Sequence, residues 1–317
     1  MLIRRFSSLI NLPKRVKIVE VGARDGLQNE KKPISVEIKV ELIKRLLQTG
    51  ITYVEAGSFV SPKWVPQMAS TDKVFEQLNQ MNYPSSITLC GLTPNLKGLE
   101  GAISSNVKEV AVFAAASELF SKKNINSTIE ESLENQKNVA IQAISRGMTV
   151  RGYVSCALGC PYEGEIDPYK VLNVTKRLLE FGCYEVSIGD TIGAGNPVST
   201  NRLLTILKEN NIPMNRIAVH FHDTRGLALP NILIALNHNI TVVDSSVSGL
   251  GGCPYAAGAT GNVATEDVVY MLHQMGIETG IDLHKLIEVG EYINEHLERC
   301  NGSKVAIAFG KKKSKSN

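Results

Sequence analysis

Two hydrophobic patterns alternate along this chain. Short, nearly continuous apolar runs are each followed by a longer stretch in which apolar positions return every three or four residues. The first pattern reads as a buried strand and the second as an amphipathic helix. Strands are predicted over 17–24, 53–59, 87–93, 109–115, 149–155, 185–190, 217–222 and 241–248. The first helix is predicted over about 36–49, with Ser35 as its cap, Val36, Val40, Ile43 and Leu47 on one face, and Gly50 as its stop. Others are expected near 71–79, near 95–104, from the capping box Thr128-Ile-Glu-Glu131 to Gly147, from Asp167-Pro168 to Gly182, and over 263–275. Consecutive strands joined by helices run parallel, and eight such units fit a closed (β/α)8 TIM barrel of the α/β class. An open doubly wound sheet is the alternative, but no Gly-x-Gly-x-x-Gly follows the first strand. Leu283, Leu286, Ile287, Ile293 and Leu297 predict one extra C-terminal helix packed on the barrel. The expected organisation is a barrel over 17–276 and a helical extension with a basic tail over 277–317.

Composition narrows the class of molecule. The 317 residues are 43% hydrophobic and 21% charged, with a formal net charge of +3. Lys311, Lys312, Lys313 and Lys315 account for that excess, so the body is nearly neutral and nothing points to nucleic acid. No apolar run approaches the roughly 18 residues that a membrane span requires. The six cysteines include no Cys-x-x-Cys pair; Cys156 and Cys160 are four apart, a spacing of neither a zinc knuckle nor a redox pair. Free thiols in a reducing compartment are expected. Residues 1–16 begin Met-Leu-Ile-Arg-Arg-Phe-Ser-Ser and contain no acid, as a mitochondrial presequence would. The mitochondrial matrix is the expected location, with the cytosol as the alternative.

Residues with chemical capacity fall at the carboxyl ends of the predicted strands, where barrel enzymes place their sites. The first strand ends in Arg24-Asp25, the second carries Glu55 and Ser58, the sixth ends in Asp190, and the seventh ends in His220-Phe221-His222-Asp223. Residues two apart on a strand share a face, so His220 and His222 present two imidazoles together. With Asp25 and Asn262 as oxygen donors they suit a divalent ion such as Mg²⁺ or Mn²⁺. Arg24 could stabilise an oxyanion or a carboxylate, or pair with Glu55. The eighth strand leads into Ser248-Gly-Leu-Gly-Gly-Cys-Pro-Tyr-Ala-Ala-Gly-Ala-Thr-Gly-Asn262, a glycine-rich loop with Cys253 at its centre. A thiol held over a pocket can act as a general acid or a nucleophile.

Taken together these motifs resemble the 3-hydroxy-3-methylglutaryl-CoA lyases. The resemblance runs from about Lys17 to Leu297 and includes Glu20-Val-Gly-Ala-Arg-Asp-Gly-Leu-Gln-Asn-Glu-Lys31, Glu55-Ala-Gly-Ser-Phe-Val-Ser-Pro-Lys-Trp64, Gly152-Tyr-Val-Ser-Cys156, Ser187-Ile-Gly-Asp-Thr191 and Val219-His-Phe-His-Asp223. The Arg-Asp and His-x-His pieces are shared with a wider set of metal-dependent lyases and acyl-CoA synthases, whereas the Cys253 loop is more specific to the lyases. The resemblance implies cleavage of a small acyl-CoA substrate to acetyl-CoA and acetoacetate, as in leucine degradation and ketone-body formation. It implies a divalent metal on Asp25, His220, His222 and Asn262, a base at Asp25 or His220, and Arg24 opposite the thioester oxygen. It further implies Cys253 as proton donor, Glu55 orienting Arg24, substrate contacts from Ser58 and Asp190, Lys31 at a CoA phosphate, and a homodimer. An acyl-CoA condensing synthase of the same barrel family and a non-catalytic barrel are the competing readings.

Overall fold

The computed structural model describes residues 12–251 and 261–313. Its strands are β1 (Lys17–Glu20), β2 (Tyr53–Ser58), β3 (Thr88–Leu92), β4 (Glu109–Ala115), β5 (Thr149–Ser155), β6 (Glu185–Asp190), β7 (Ile217–Phe221) and β8 (Val242–Ser245). Each pairs in parallel with the next, and β1 meets β8 from Lys17↔Val242 to Glu20↔Ser245, which closes the barrel. The surrounding helices are α1 (Val36–Gln48), α2 (Thr71–Asn79), α3 (Leu96–Ser104), α4 (Glu118–Ile125), α5 (Ile129–Ser145), α6 (Pro168–Glu180), α7 (Pro197–Glu209), α8 (Ala228–Asn237) and α9 (Thr265–Gln274). Two more, α10 (Leu283–Leu297) and α11 (Lys304–Lys313), follow the barrel.

Local chemistry explains the boundaries. The side chains of Ser35, Thr128 and Asp167 each accept a backbone N–H at the start of α1, α5 and α6, and Thr128 forms a full capping box with Glu131. The strands bury both faces, which is why they read as apolar runs rather than as alternating ones. One apolar layer lies between strands and helices, built on residues such as Ile18, Val54, Val110 and Val186. A smaller layer fills the barrel itself: Val19, Tyr53, Cys90, Ala111, Ala218 and Val242.

The interior is also charged. Fully buried Arg151 donates to Glu185 at 2.8 Å and to Asp244 at 2.7 Å, and its guanidinium lies over the Tyr153 ring. Removing one partner of such a set strands the other charges without water. Arg151→Met is therefore expected to destabilise the fold by about 3–5 kcal/mol, read as a lowered urea midpoint. An unchanged midpoint would mean that Glu185 and Asp244 are not held by this charge.

Three features depart from expectation. The first strand stops at Glu20 rather than Arg24, because the Glu20 carboxylate accepts the Gly22 and Val247 N–H groups and turns the chain into a five-residue π-helical segment, Gly22–Gly26. The eighth strand ends at Ser245 rather than Ser248, and a single helical turn, Val247–Gly249, follows it. Helices α4 and α11 were not foreseen; α11 covers part of what reads as a solvated basic tail, its start held by Asp267, which accepts from Ser303 Oγ and from the Lys304 and Val305 N–H groups. Among the described residues no helix is long and apolar enough to cross a membrane.

Candidate active site

The Gly22–Gly26 segment brings Arg24 and Asp25 to the carboxyl end of the barrel together, where an extended chain would have turned them apart. A Cβ at Gly26 would sit 2.7 Å from Leu250 Cβ, so only glycine lets this turn lie against the loop that follows β8. Arg24 donates through Nε to Glu55 at 2.7 Å and through Nη1 to Asp25 at 2.6 Å. Tyr153 donates its hydroxyl to the other Glu55 oxygen at 2.8 Å. Glu55 thus fixes the guanidinium from below, and Asp25 meets it from the cavity side.

His220 is the fourth residue of β7, and His222 lies one residue beyond its end, bridged to Asn262. Their rings are 5.3 Å apart and both residues are 8% exposed. Asp25, His220 and His222 each offer a ligand atom, and these atoms lie within 4.8 Å of one another. Asn262 donates its amide to Asp25 Oδ2 at 2.8 Å and to the Leu250 carbonyl at 3.2 Å, which leaves its own carbonyl oxygen as an acceptor. His222 Nδ1 is buried without a hydrogen-bond partner among the described residues. An orphaned buried nitrogen beside an imidazole, a carboxylate and an amide oxygen is a donor set that fits a divalent cation.

Electrostatics prepares these groups. Burial would raise the Asp25 carboxyl, but Arg24, His220, His222 and the Asn262 amide override it and hold it well below the usual carboxylate range. Burial, with His220 alongside, pushes His222 down to about 4, so its imidazole is neutral and able to ligate near pH 7. Burial also opposes the charged form of His220, yet the contact with Asp244, together with the Asp25 and Asp244 charges, raises it. His220 Nδ1 lies 3.5 Å from Asp244 Oδ2 and its Nε2 lies 3.8 Å from Asp25 Oδ2. Asp244 accepts in turn from Arg151 and from Ser187 Oγ at 2.8 Å. A carboxylate behind an imidazole favours its charged form.

Arg24, Asp25, His220 and His222 line a cavity of about 250 Å³ with Phe113 and Tyr153. It meets a second cavity of about 620 Å³ at Gln28, Leu92, Phe113 and Asn124. Ser58 lines the second cavity rather than the first. Lys31 is exposed and lines an outer groove with Pro33 and Trp64. Asp190 is fully buried and accepts the Ala194 and Gly195 N–H groups at 3.0 and 2.9 Å; it shapes the loop after β6 and lines neither cavity. Cys253 lies outside the described residues. The structure therefore gathers Arg24, Asp25, Glu55, His220, His222 and Asn262, and leaves Ser58, Lys31 and Asp190 apart from them. The sequence reading missed Tyr153, Arg151 and Asp244. Their signal is polar residues at alternate positions within apolar strands, Arg151-Gly-Tyr153 in β5 and Val-Val-Asp244 in β8.

The family profile described as HMGL-like matches residues 15–293. A relative from Pongo abelii, named hydroxymethylglutaryl-CoA lyase, mitochondrial, is 55% identical over 305 residues, covering 95% of this chain and 92% of the relative. A Mus musculus relative, named 3-hydroxy-3-methylglutaryl-CoA lyase, cytoplasmic, is 56% identical over 303 residues, covering 95% of this chain and 87% of its own. The crystal structure of hydroxymethylglutaryl-CoA lyase from Pseudomonas aeruginosa superposes with a TM-score of 0.92 at 53% identity, covering 96% of this chain and 100% of that one.

Proposed function

The chain belongs to the HMGL-like family and is a carbon–carbon lyase of 3-hydroxy-3-methylglutaryl-CoA, and from that premise we propose how its own residues divide the work. The single observation that carries the reading is the convergence of the Asp25, His220 and His222 ligand atoms within 4.8 Å, with Arg24 bonded to the same Asp25. Asp25, His220, His222 and the Asn262 carbonyl oxygen would hold a divalent ion, Mg²⁺ or Mn²⁺. That ion supplies Lewis acidity, which lowers the pKa of the substrate's tertiary hydroxyl.

Asp25 takes the hydroxyl proton. Its carboxylate faces the cavity beside both imidazoles, with His220 Nε2 3.8 Å away as the other acceptor within reach. The bond between the carbinol carbon and the methylene of the thioester arm then breaks. Its electron pair moves to the methylene carbon and the thioester oxygen, and the carbinol oxygen becomes the ketone of acetoacetate. Arg24, anchored by Glu55, faces the negative charge that develops on the thioester oxygen. The Cys253 thiol returns a proton to the methylene carbon and so completes acetyl-CoA; its place in this scheme rests on the glycine loop to which it belongs. The larger cavity would lead the thioester arm outward past Ser58, towards Lys31 at a CoA phosphate. Asp190 acts on the wall of the site, through the loop that it caps. The family resemblance favours a homodimer, and the basic segment 1–16 favours the mitochondrial matrix.

Product analysis tests this reading. Reduced protein supplied with Mg²⁺ and 3-hydroxy-3-methylglutaryl-CoA is expected to release acetoacetate and acetyl-CoA in equal amounts. Consumption of acetyl-CoA together with a keto acid, and no acetoacetate, would assign the site to a condensing synthase instead.

A further inference from the structure

The chain beyond the barrel reaches back towards the metal-ligand residues through the Glu30–Arg299 ion pair. Glu30 ends the segment that begins with the Arg24-Asp25 turn, and its Oε1 accepts from Arg299 Nη1, at the carboxyl end of α10, and from the Gly251 N–H at 3.2 Å. Arg299 also donates through Nη2 to the Gly249 carbonyl at 3.4 Å. Gly251 is the last described residue before Cys253, and its carbonyl accepts the Gly261 N–H at 2.9 Å, so its position sets where the loop returns to Asn262. Gly251 has φ +101°, and a Cβ there would lie 2.9 Å from Asn262 Nδ2.

The same stretch is held by further contacts from the extension. Asn294 donates to Ser248 Oγ at 2.6 Å, Ser248 Oγ donates to Asn301 at 3.0 Å, and the Gly302 N–H donates to the Ser248 carbonyl at 3.1 Å. Ser248 itself has φ +57°, a left-handed conformation that costs a non-glycine residue energy and persists where the surroundings enforce it. Asp25 and Asn262 touch each other at 2.8 Å, and the two segments that carry them are joined at Glu30.

We propose that Glu30 and Arg299 are positioning residues for the metal site, holding the Asp25 turn and the Asn262 end of the glycine loop in the register that lets both ligands face one ion. The proposal rests on the metal reading above. Neither side chain would touch the ion; each acts through Gly249–Gly251, Asn262 and the turn.

The test is Mn²⁺ binding to metal-stripped full-length protein, followed by the electron paramagnetic resonance signal of the free ion, beside the melting temperature of the same metal-free samples. Arg299→Gln and Glu30→Gln are each expected to raise the Mn²⁺ Kd by about tenfold, as loss of an outer support does, and Arg299→Lys should recover part of the loss. The direction of the two effects separates positioning from a field effect. Removing a positive charge would tighten cation binding through the field alone, and removing a negative one would loosen it. Weakening by both variants, in protein that still melts cooperatively, supports the proposal. Opposite shifts, or an unchanged Kd in both, would overturn it; if Arg299→Gln does not fold, Arg299→Lys decides, since it keeps the charge and loses the planar fork, so that weaker Mn²⁺ binding supports positioning and an unchanged Kd overturns it. No Mn²⁺ binding by the parent protein would overturn the metal reading, and this proposal with it.

Discussion

Replacing His222 with alanine is expected to abolish tight divalent-ion binding and to lower kcat/KM by at least about 10³, since several kcal/mol of Lewis-acid stabilisation would be lost with the ion. The fold should hardly notice. No hydrogen bond from the His222 ring is present among the described residues, and its Nδ1 is buried without a partner, so truncation breaks no internal bond. A buried imidazole with no ring hydrogen bond among the described residues, lowered to about 4 and therefore neutral, is suited to ligation. Calorimetric titration with Mn²⁺ and thermal unfolding of the metal-free variant check both halves. An unchanged Mn²⁺ affinity would remove His222 from the ligand set.

Arg24→Met is expected to lower kcat by about 10²–10³, the range for loss of one preorganised donor to a developing oxyanion. Metal affinity should move the other way. The guanidinium contacts Asp25 at 2.6 Å, so its removal takes a positive charge away from the cation site, and Mn²⁺ should bind as tightly as before or more so. Arg24→Lys should rescue little, since one ammonium cannot meet Glu55 and Asp25 from a planar fork. Arg24→Met leaves buried Glu55 with the Tyr153 hydroxyl as its remaining side-chain donor among the described residues and should lower the melting temperature. Steady-state kinetics at saturating metal, beside Mn²⁺ titration, separates this pattern from loss of a ligand. A parallel fall in metal affinity would make Arg24 part of the metal's support rather than of the charge stabilisation.

The barrel was legible because its strands are buried on both faces and its helices carry strong end signals. Uninterrupted runs such as Glu109-Val-Ala-Val-Phe-Ala-Ala115 leave little room for another reading, and Ser35, Thr128 and Asp167 mark helix starts by chemistry that acts locally. Helix α4 carries little apolar periodicity beyond Phe120, and its start depends on Ser117 accepting the Phe120 N–H. Helix α11 begins where Asp267, from α9, gathers its first N–H groups, a long-range contact that no window of sequence displays. The site shows the same division. Arg24-Asp25 and His220-x-His222 stand out because polar residues cluster at strand ends. The Gly22–Gly26 turn that aims Arg24 and Asp25 depends on Glu20 reaching Val247, more than two hundred residues away. Asp244, Arg151 and Tyr153 lie deeper in the barrel, where each also pairs with a residue on another strand. Asp190 reads as a site residue from its place at a strand end, yet its carboxylate is committed to two backbone N–H groups.

The most direct test of the account is to titrate metal-stripped, reduced protein with Mn²⁺ in the presence of 3-hydroxy-3-methylglutaryl-CoA, measuring bound ion and acetoacetate in the same samples. A metal site on Asp25, His220, His222 and Asn262, as proposed above, predicts that acetoacetate appears in step with bound Mn²⁺ and that both level off at one ion per chain. Full-rate acetoacetate from the stripped protein, or one bound ion per chain with no acetoacetate, would contradict it.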